Sequence, residues 1–164
     1  MKTLYIIRHA KSSWEYDALH DLERPLTERG INDAAIVGNW LHEHDIYPGA
    51  VITSPALRAL TTARIICDII GFDKNKIILH ADLYFKEIPE IVNVIREKGM
   101  QHDNLFIFGH NPTFSNLAHA FTKTFTEMMP TCGIVAVEFD SESWQLVELT
   151  KGKLKFFEYP KKYR

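Results

Sequence analysis

The chain has 164 residues, 46% of them hydrophobic and 24% charged, enough to bury one substantial core with an ordinary soluble composition. A formal net charge of -2 provides no global basic field to recruit nucleic acid or an anionic membrane, so any anion-binding function is local. The two cysteines, Cys67 and Cys132, form no CxxC pattern, and the first apolar run breaks at Arg8, too early for a signal peptide or a membrane span; a cytoplasmic, single-domain protein over residues 1–164 is expected.

Leu4-Tyr5-Ile6-Ile7 is a continuous apolar run, the pattern of a strand covered on both faces. It stops at Arg8-His9-Ala10-Lys11-Ser12-Ser13, and a polar stretch continues to Pro25, where Trp14 and Tyr16 predict a packed loop over the strand end. Thr27 opens a helix to about His44, with Ile31, Ala34, Ala35, Val37, Gly38, Trp40 and Leu41 on its apolar face.

After the Pro48-Gly49 turn, Ala50-Val51-Ile52-Thr53 reads as a second strand. Ser54-Pro55 then starts a helix from Ala56 to Ile70, which Gly71 closes. Ile77-Ile78-Leu79 is a third strand, the stretch from His80 to Ile88 a loop, and Pro89 begins a helix that ends at Gly99. Leu105-Phe106-Ile107-Phe108 repeats the opening pattern before Gly109-His110-Asn111-Pro112, where Asn111 caps a further helix with Phe114, Leu117, Ala118 and Phe121 inward. Gly133 to Phe139 and Lys153 to Tyr159 are strands, the second at an edge; Ser141 to Gly152 has no assignable pattern, and Lys161-Lys162-Tyr163-Arg164 reads as a solvated tail. Strands alternating with helices predict an α/β fold: a mostly parallel sheet between helix layers, with one antiparallel edge strand.

Three apolar strands thus end in turns that carry Arg8 and His9, Arg58, and His110. In parallel sheets the ligand crevice lies at the carboxyl ends of the strands, so neighbouring strands would bring these four together. Arg58 is the informative one: a cation in a first helical turn opposes the macrodipole unless an anion offsets it, and its side chain leans back over the strand end. Two arginines suit the oxygens of a phosphate, a neutral histidine is a nucleophile, and a second, protonated histidine stabilises developing charge. The set describes in-line phosphoryl transfer to His9, without a metal or other cofactor.

Leu4-Tyr5-Ile6-Ile7-Arg8-His9-Ala10 resembles the Arg-His-Gly signature of the histidine phosphatase superfamily, with Ala10 in place of the usual glycine. Ser54-Pro55 with Arg58, and Gly109-His110-Asn111-Pro112, resemble its second and third motifs. Arg8-His9-Ala10-Lys11-Ser12-Ser13-Trp14 and Asp21 with Arg24-Pro25-Leu26-Thr27 are similar to the small SixA-type phosphohistidine phosphatases. The resemblance spans nearly the whole chain. It implies a phosphoglycerate mutase-like three-layer α/β/α sandwich, His9 as the transiently phosphorylated nucleophile, and Arg8, Arg58 and His110 as the rest of the phosphate pocket.

Many relatives take a general acid from the loop after the third strand, where this sequence offers Asp82, Glu87 and Glu90. Glu87 is preferred, because Glu90 falls in a first helical turn where the dipole already accounts for it. A phosphate ester leaves as a basic alkoxide and needs a proton donor, whereas phosphohistidine leaves as neutral imidazole, so a poor acid favours the phosphoramidate. Lys11, Ser12, Arg24 and Asn111 are candidate substrate contacts, and Ser13 stands beside them. The expected substrate is a phosphorylated protein carrying phosphohistidine. The alternatives are a small phosphorylated metabolite, a non-catalytic phosphate-recognition module, and a metallohydrolase built from His9, His80, Asp82 and His110, whose dication Arg8 and Arg58 would repel.

Overall fold

The computed structural model describes residues 1–15 and 20–164; Tyr16 and Asp17 of the expected loop lie outside them. Six strands form one sheet: β1 (Lys2–Arg8), β2 (Ala50–Thr53), β3 (Ile78–Leu79), β4 (Asn104–Gly109), β5 (Ile134–Phe139) and β6 (Lys153–Glu158). Their spatial order is β3-β2-β4-β1-β5-β6. The first four run parallel, and β5 runs against both of its neighbours, so the edge strand β6 joins the sheet by an antiparallel pairing.

The helices are α1 (Glu28–Glu43), α2 (Leu57–Ile70), α3 (Ile88–Lys98) and α4 (Thr113–Thr122). The pleat of β1 sorts its side chains between two cores. Leu4 and Ile6 pack with the inner faces of α3 and α4, while Tyr5 and Ile7 pack with those of α1 and α2. Both faces are covered, which is why β1 and β4 read as unbroken apolar runs rather than alternating ones.

Local chemistry sets the helix ends. The Thr27 hydroxyl accepts from Gly30 N at 3.0 Å and opens α1. Gly71, at φ 84°, closes α2. Helix α2 begins at Leu57 with Ala56 as its cap, one residue beyond the expected start, because the Ser54 hydroxyl accepts from Ala56 N in a tight turn ahead of the helix. Likewise α4 begins after Pro112, while the Asn111 carboxamide oxygen reaches forward to Ser115 N. No helix among the described residues is long and apolar enough to cross a membrane.

Three expectations change. Ile31 is solvent-exposed on α1 and Asp33 is buried in its stead, because Asp33 receives both Nε and Nη2 of Arg164 at 2.9 and 3.1 Å. The tail is solvent-exposed as expected, but its final residue is also pinned to α1 by this pair. Trp14 is largely exposed, so the loop over the strand end is packed by other contacts than that ring. The unassigned stretch between β5 and β6 proves structural: Trp144 is fully buried, donates its indole N–H to the His102 carbonyl at 2.6 Å, and lies where any side chain at Gly99 would have to go.

Candidate active site

The β1, β4 and β2 ends lie side by side, with Arg8 level with Gly109 and Thr53 level with Phe108. Each chain direction therefore delivers its next residues to one place: Arg8 and His9, His110, and Ser54 ahead of α2 with Arg58. The His9 and His110 rings are 5.2 Å apart, and Arg58 Nη2 is 3.4 Å from His110 Nδ1. A cavity of about 260 Å³ opens here, lined by Arg8, His9, Lys11, Ser12, Arg24, Arg58 and Asn111 along with Trp14, Asp21, Phe85 and Thr131. A wider cleft of about 780 Å³ between Met1, Phe139 and the 140–151 stretch lies at the opposite end of the sheet and holds no histidine or arginine.

His9 is buried with Nδ1 2.7 Å from the carbonyl oxygen of Ala10. A carbonyl only accepts, so Nδ1 carries the proton and Nε2 keeps its lone pair. Burial is the main cause that lowers the imidazole pKa to about 4, and the charges of Arg58, Arg8 and Arg24 add to it against the Ala10 hydrogen bond. The ring is neutral and nucleophilic at neutral pH.

His110 is more deeply buried, and its pKa falls to about 3, first from desolvation and then from the nearness of His9 and Arg58. Arg58 donates toward Nδ1, so Nε2 bears the hydrogen and donates to the Ser54 hydroxyl at 2.8 Å. The expectation of a protonated second histidine thus does not describe the free site, where two guanidinium groups already supply the positive charge and His110 is a neutral N–H donor.

Arg58 is buried, and the first-turn argument asks for an anion to offset it. The partner present is Asp21: Arg58 Nη1 donates to its backbone oxygen at 2.7 Å and Nη2 to its carboxylate at 2.8 Å. The same carboxylate receives Arg24 Nε at 3.1 Å and the Tyr84 hydroxyl at 2.6 Å. Burial alone would raise the Asp21 pKa; the hydrogen bonds from Tyr84 and Arg58 and the adjacent charges overcome it and bring the value down to about 2. Arg8 Nη1 donates to the Met129 carbonyl at 2.9 Å. The Nε atoms of Arg8 and Arg58 are buried and have no acceptor among the described residues, so two cationic donors at the cavity lack partners.

The remaining candidates divide. Arg24 is buried and bridges the loop, donating to the Ser12 hydroxyl at 3.0 Å and the Ser13 carbonyl at 3.3 Å, with its Cζ 3.6 Å above the Trp14 ring. Ser12 also pairs with Leu26 across the loop, and the Lys11 carbonyl approaches Gly30 so closely that only a glycine fits there. This contact leaves the exposed Lys11 side chain at the rim. The Asn111 amide donates to the Met129 carbonyl at 2.9 Å, so its polar atoms are already engaged in holding the α4 turn. The methyl of Ala10 is buried in the core facing α1 and α2, and its N–H bonds the Thr62 hydroxyl at 3.0 Å.

Glu87 stands exposed at the N-cap of α3 and does not line the cavity, nor do Asp82 or Glu90. The loop after β3 turns Tyr84 and Phe85 toward the site instead. Phe85 stacks on His110 at 4.6 Å, and Tyr84 holds Asp21. Neither was foreseen, since aromatic residues in a loop read as packing; the one available signal for Asp21 was its spacing of three residues from Arg24. No three His, Cys, Asp or Glu side chains among the described residues, His9, His80, Asp82 and His110 included, come together in a way that could hold a metal ion.

Residues 4–88 match the model of the histidine phosphatase superfamily (branch 1). An uncharacterised protein of Mycobacterium tuberculosis is 30% identical over 166 residues, spanning 94% of this chain and 100% of its own. Among solved structures, the protein histidine phosphatase SixA complexed with tungstate superposes with a TM-score of 0.83 at 20% identity over 99% of both chains. A SixA structure from Agrobacterium tumefaciens superposes at 0.82 with 22% identity, over 97% of this chain and 98% of the other. With more than half of its length in the family model and an end-to-end relative at 30% identity, the chain belongs to the histidine phosphatase superfamily and has the SixA-type fold.

Proposed function

We propose that the protein is a metal-independent phosphatase that passes a phosphoryl group through His9 and acts on phosphohistidine in a protein. The observation that carries the substrate class is the treatment of carboxylates at the cavity. Among the described residues the carboxylate that lines it is Asp21, held between Arg58, Arg24 and Tyr84 with a pKa of about 2, so it has no proton to give at neutral pH. An alkoxide leaving group would find no carboxylic acid among the described residues to protonate it, whereas an imidazole already protonated on its far nitrogen leaves as a neutral molecule.

In the first step His9 Nε2 attacks phosphorus, and the phosphorus–nitrogen bond to the substrate breaks with its electron pair going to the departing imidazole. The positive charge that develops on the His9 ring is stabilised through Nδ1–H by the Ala10 carbonyl. Arg8 and Arg58 receive the equatorial oxygens, while His110, with Nε2–H on Ser54 and Nδ1 facing Arg58, holds the Arg58 guanidinium in position. Water then attacks phosphorus, the bond to Nε2 breaks, and His9 returns to its neutral form while the proton lost by water leaves with phosphate or to solvent. Tungstate, the ligand of the SixA neighbour, is a tetrahedral oxyanion of the same shape as phosphate, which supports an oxyanion-binding role for this fold.

The cavity of about 260 Å³ is below the roughly 300–1,000 Å³ of sites that enclose a small molecule. That size fits a phosphoryl group on a side chain whose protein stays outside, with the whole chain acting as one domain. Two unpaired, buried cysteines suit a reducing cytoplasm. The test is turnover of a phosphohistidine-bearing phosphotransfer protein against a panel of phosphorylated metabolites. A clear preference for the protein is expected, and a metabolite preferred by orders of magnitude would overturn the substrate assignment.

A further inference from the structure

We infer that Trp14 and Phe85 form a two-sided aromatic mouth that holds the flat imidazole ring of the departing histidine, and so select a heteroaromatic leaving group over a non-planar one. The inference rests on the reading of the site as a phosphohistidine phosphatase and names the residues that would read the leaving group.

Both rings line the cavity that contains His9, and both are unusually exposed for large aromatic side chains, Trp14 at 72% and Phe85 at 50%. Each already has one face occupied from within. Arg24 sits over Trp14, itself held by Asp21 and Ser12, and His110 stacks under Phe85 with an interplanar angle of 29°. Each ring thus has one fixed contact, is otherwise exposed, and lines the cavity.

Phe85 is also held at φ 51°, a left-handed conformation that a bulky side chain rarely adopts and that costs about 1–3 kcal/mol unless the surroundings impose it. The loop meets that cost at a position that brings a phenyl ring to His110 and the cavity. Exposure of the ring makes burial in the core an insufficient reason for it.

In-line transfer requires the leaving group to stand opposite His9 Nε2 across phosphorus, on the side away from the strand ends. A group leaving on that side emerges toward the mouth. A planar imidazole can stack there with either ring, whereas a tetrahedral alkyl carbon has no face and a small acyl group no aromatic face to present. The cationic ring of a protonated phosphohistidine also suits the negative faces of the two aromatics.

The experiment compares phosphoimidazole with acetyl phosphate, two small activated donors of which only the first carries an aromatic leaving group. It uses the wild-type chain, Phe85→Leu and Trp14→Leu; leucine keeps apolar cover over His110 and removes the ring. Each variant is expected to lose roughly two- to tenfold in kcat/KM for phosphoimidazole, mainly through KM, and distinctly less for acetyl phosphate. Free imidazole should also inhibit the variants more weakly than the wild type. Equal losses on both substrates, or no loss on phosphoimidazole, would overturn the inference. Failure of the parent reading appears separately, in the wild type alone, as metabolite hydrolysis without cleavage of phosphohistidine or phosphoimidazole.

Discussion

Asp21 sets the cationic half of the site, since one carboxylate meets Arg58, Arg24 and Tyr84 at once. Replacing it with Asn leaves the shape and removes the charge, so Arg58 should lose its hold, with a fall in kcat/KM of about tenfold, the size expected for a partly exposed charged hydrogen bond. Steady-state kinetics of Asp21→Asn beside a Tyr84→Phe control checks this: the control should lose less, since it keeps the ion pair. The histidines make a second claim at this scale. With folded-state values of about 4 and 3, His9 and His110 should remain neutral in nitrogen-resolved titrations down to about pH 5, and a midpoint near 6.5 for either would contradict the burial argument. Arg8, His9, Arg58 and His110 were legible because each follows an apolar run or a capped helix start. Tyr84 and Phe85 were not, and Asp21 was legible only as a companion of Arg24 without a role, because their placement depends on how two loops fold over the strand ends.

At the scale of elements the sequence was most readable where burial was two-sided. Both faces of β1 and β4 are covered, so their apolar runs are continuous, and Thr27 and Gly71 mark the start of α1 and the end of α2. The stretch from Ser141 to Gly152 has neither period, because one buried tryptophan, rather than a repeating face, fixes it against α3. Gly99→Ala should therefore destabilise the fold by about 1–3 kcal/mol, through a methyl forced against the Trp144 indole. Urea unfolding would show the lower midpoint, and an unchanged midpoint would mean that the indole can move aside. Helix α1 was read correctly in extent and wrongly in face at Ile31, since the buried Asp33 depends on Arg164, 131 residues away.

For the whole molecule, that long-range pair closes the C-terminal residue onto α1. Arg164→Ala would leave the Asp33 carboxylate, whose side chain is 1% exposed, with only Arg29 at 3.6 Å, and should cost about 1–3 kcal/mol in chemical denaturation. Stability should also depend on pH with a definite sign. Both histidines have folded-state pKa values below the unfolded 6.5, so the unfolded chain binds protons first as pH falls. Stability is complete above about pH 6.5 and declines as pH drops toward 4, by about 1.4 kcal/mol per unit for each histidine. His110→Gln should flatten that decline, and an equal slope in the variant would assign it to other groups. The central claim is that phosphorus passes through His9. The most direct measurement is a rapid mix of radiolabelled phosphohistidine protein with the enzyme, quenched into alkaline detergent to preserve phosphoramidate bonds. Label should appear on the wild-type chain within the first turnover and be absent from His9→Ala, which should also lack activity. Turnover by His9→Ala, or turnover by the wild type with no label ever on the chain, would contradict the account.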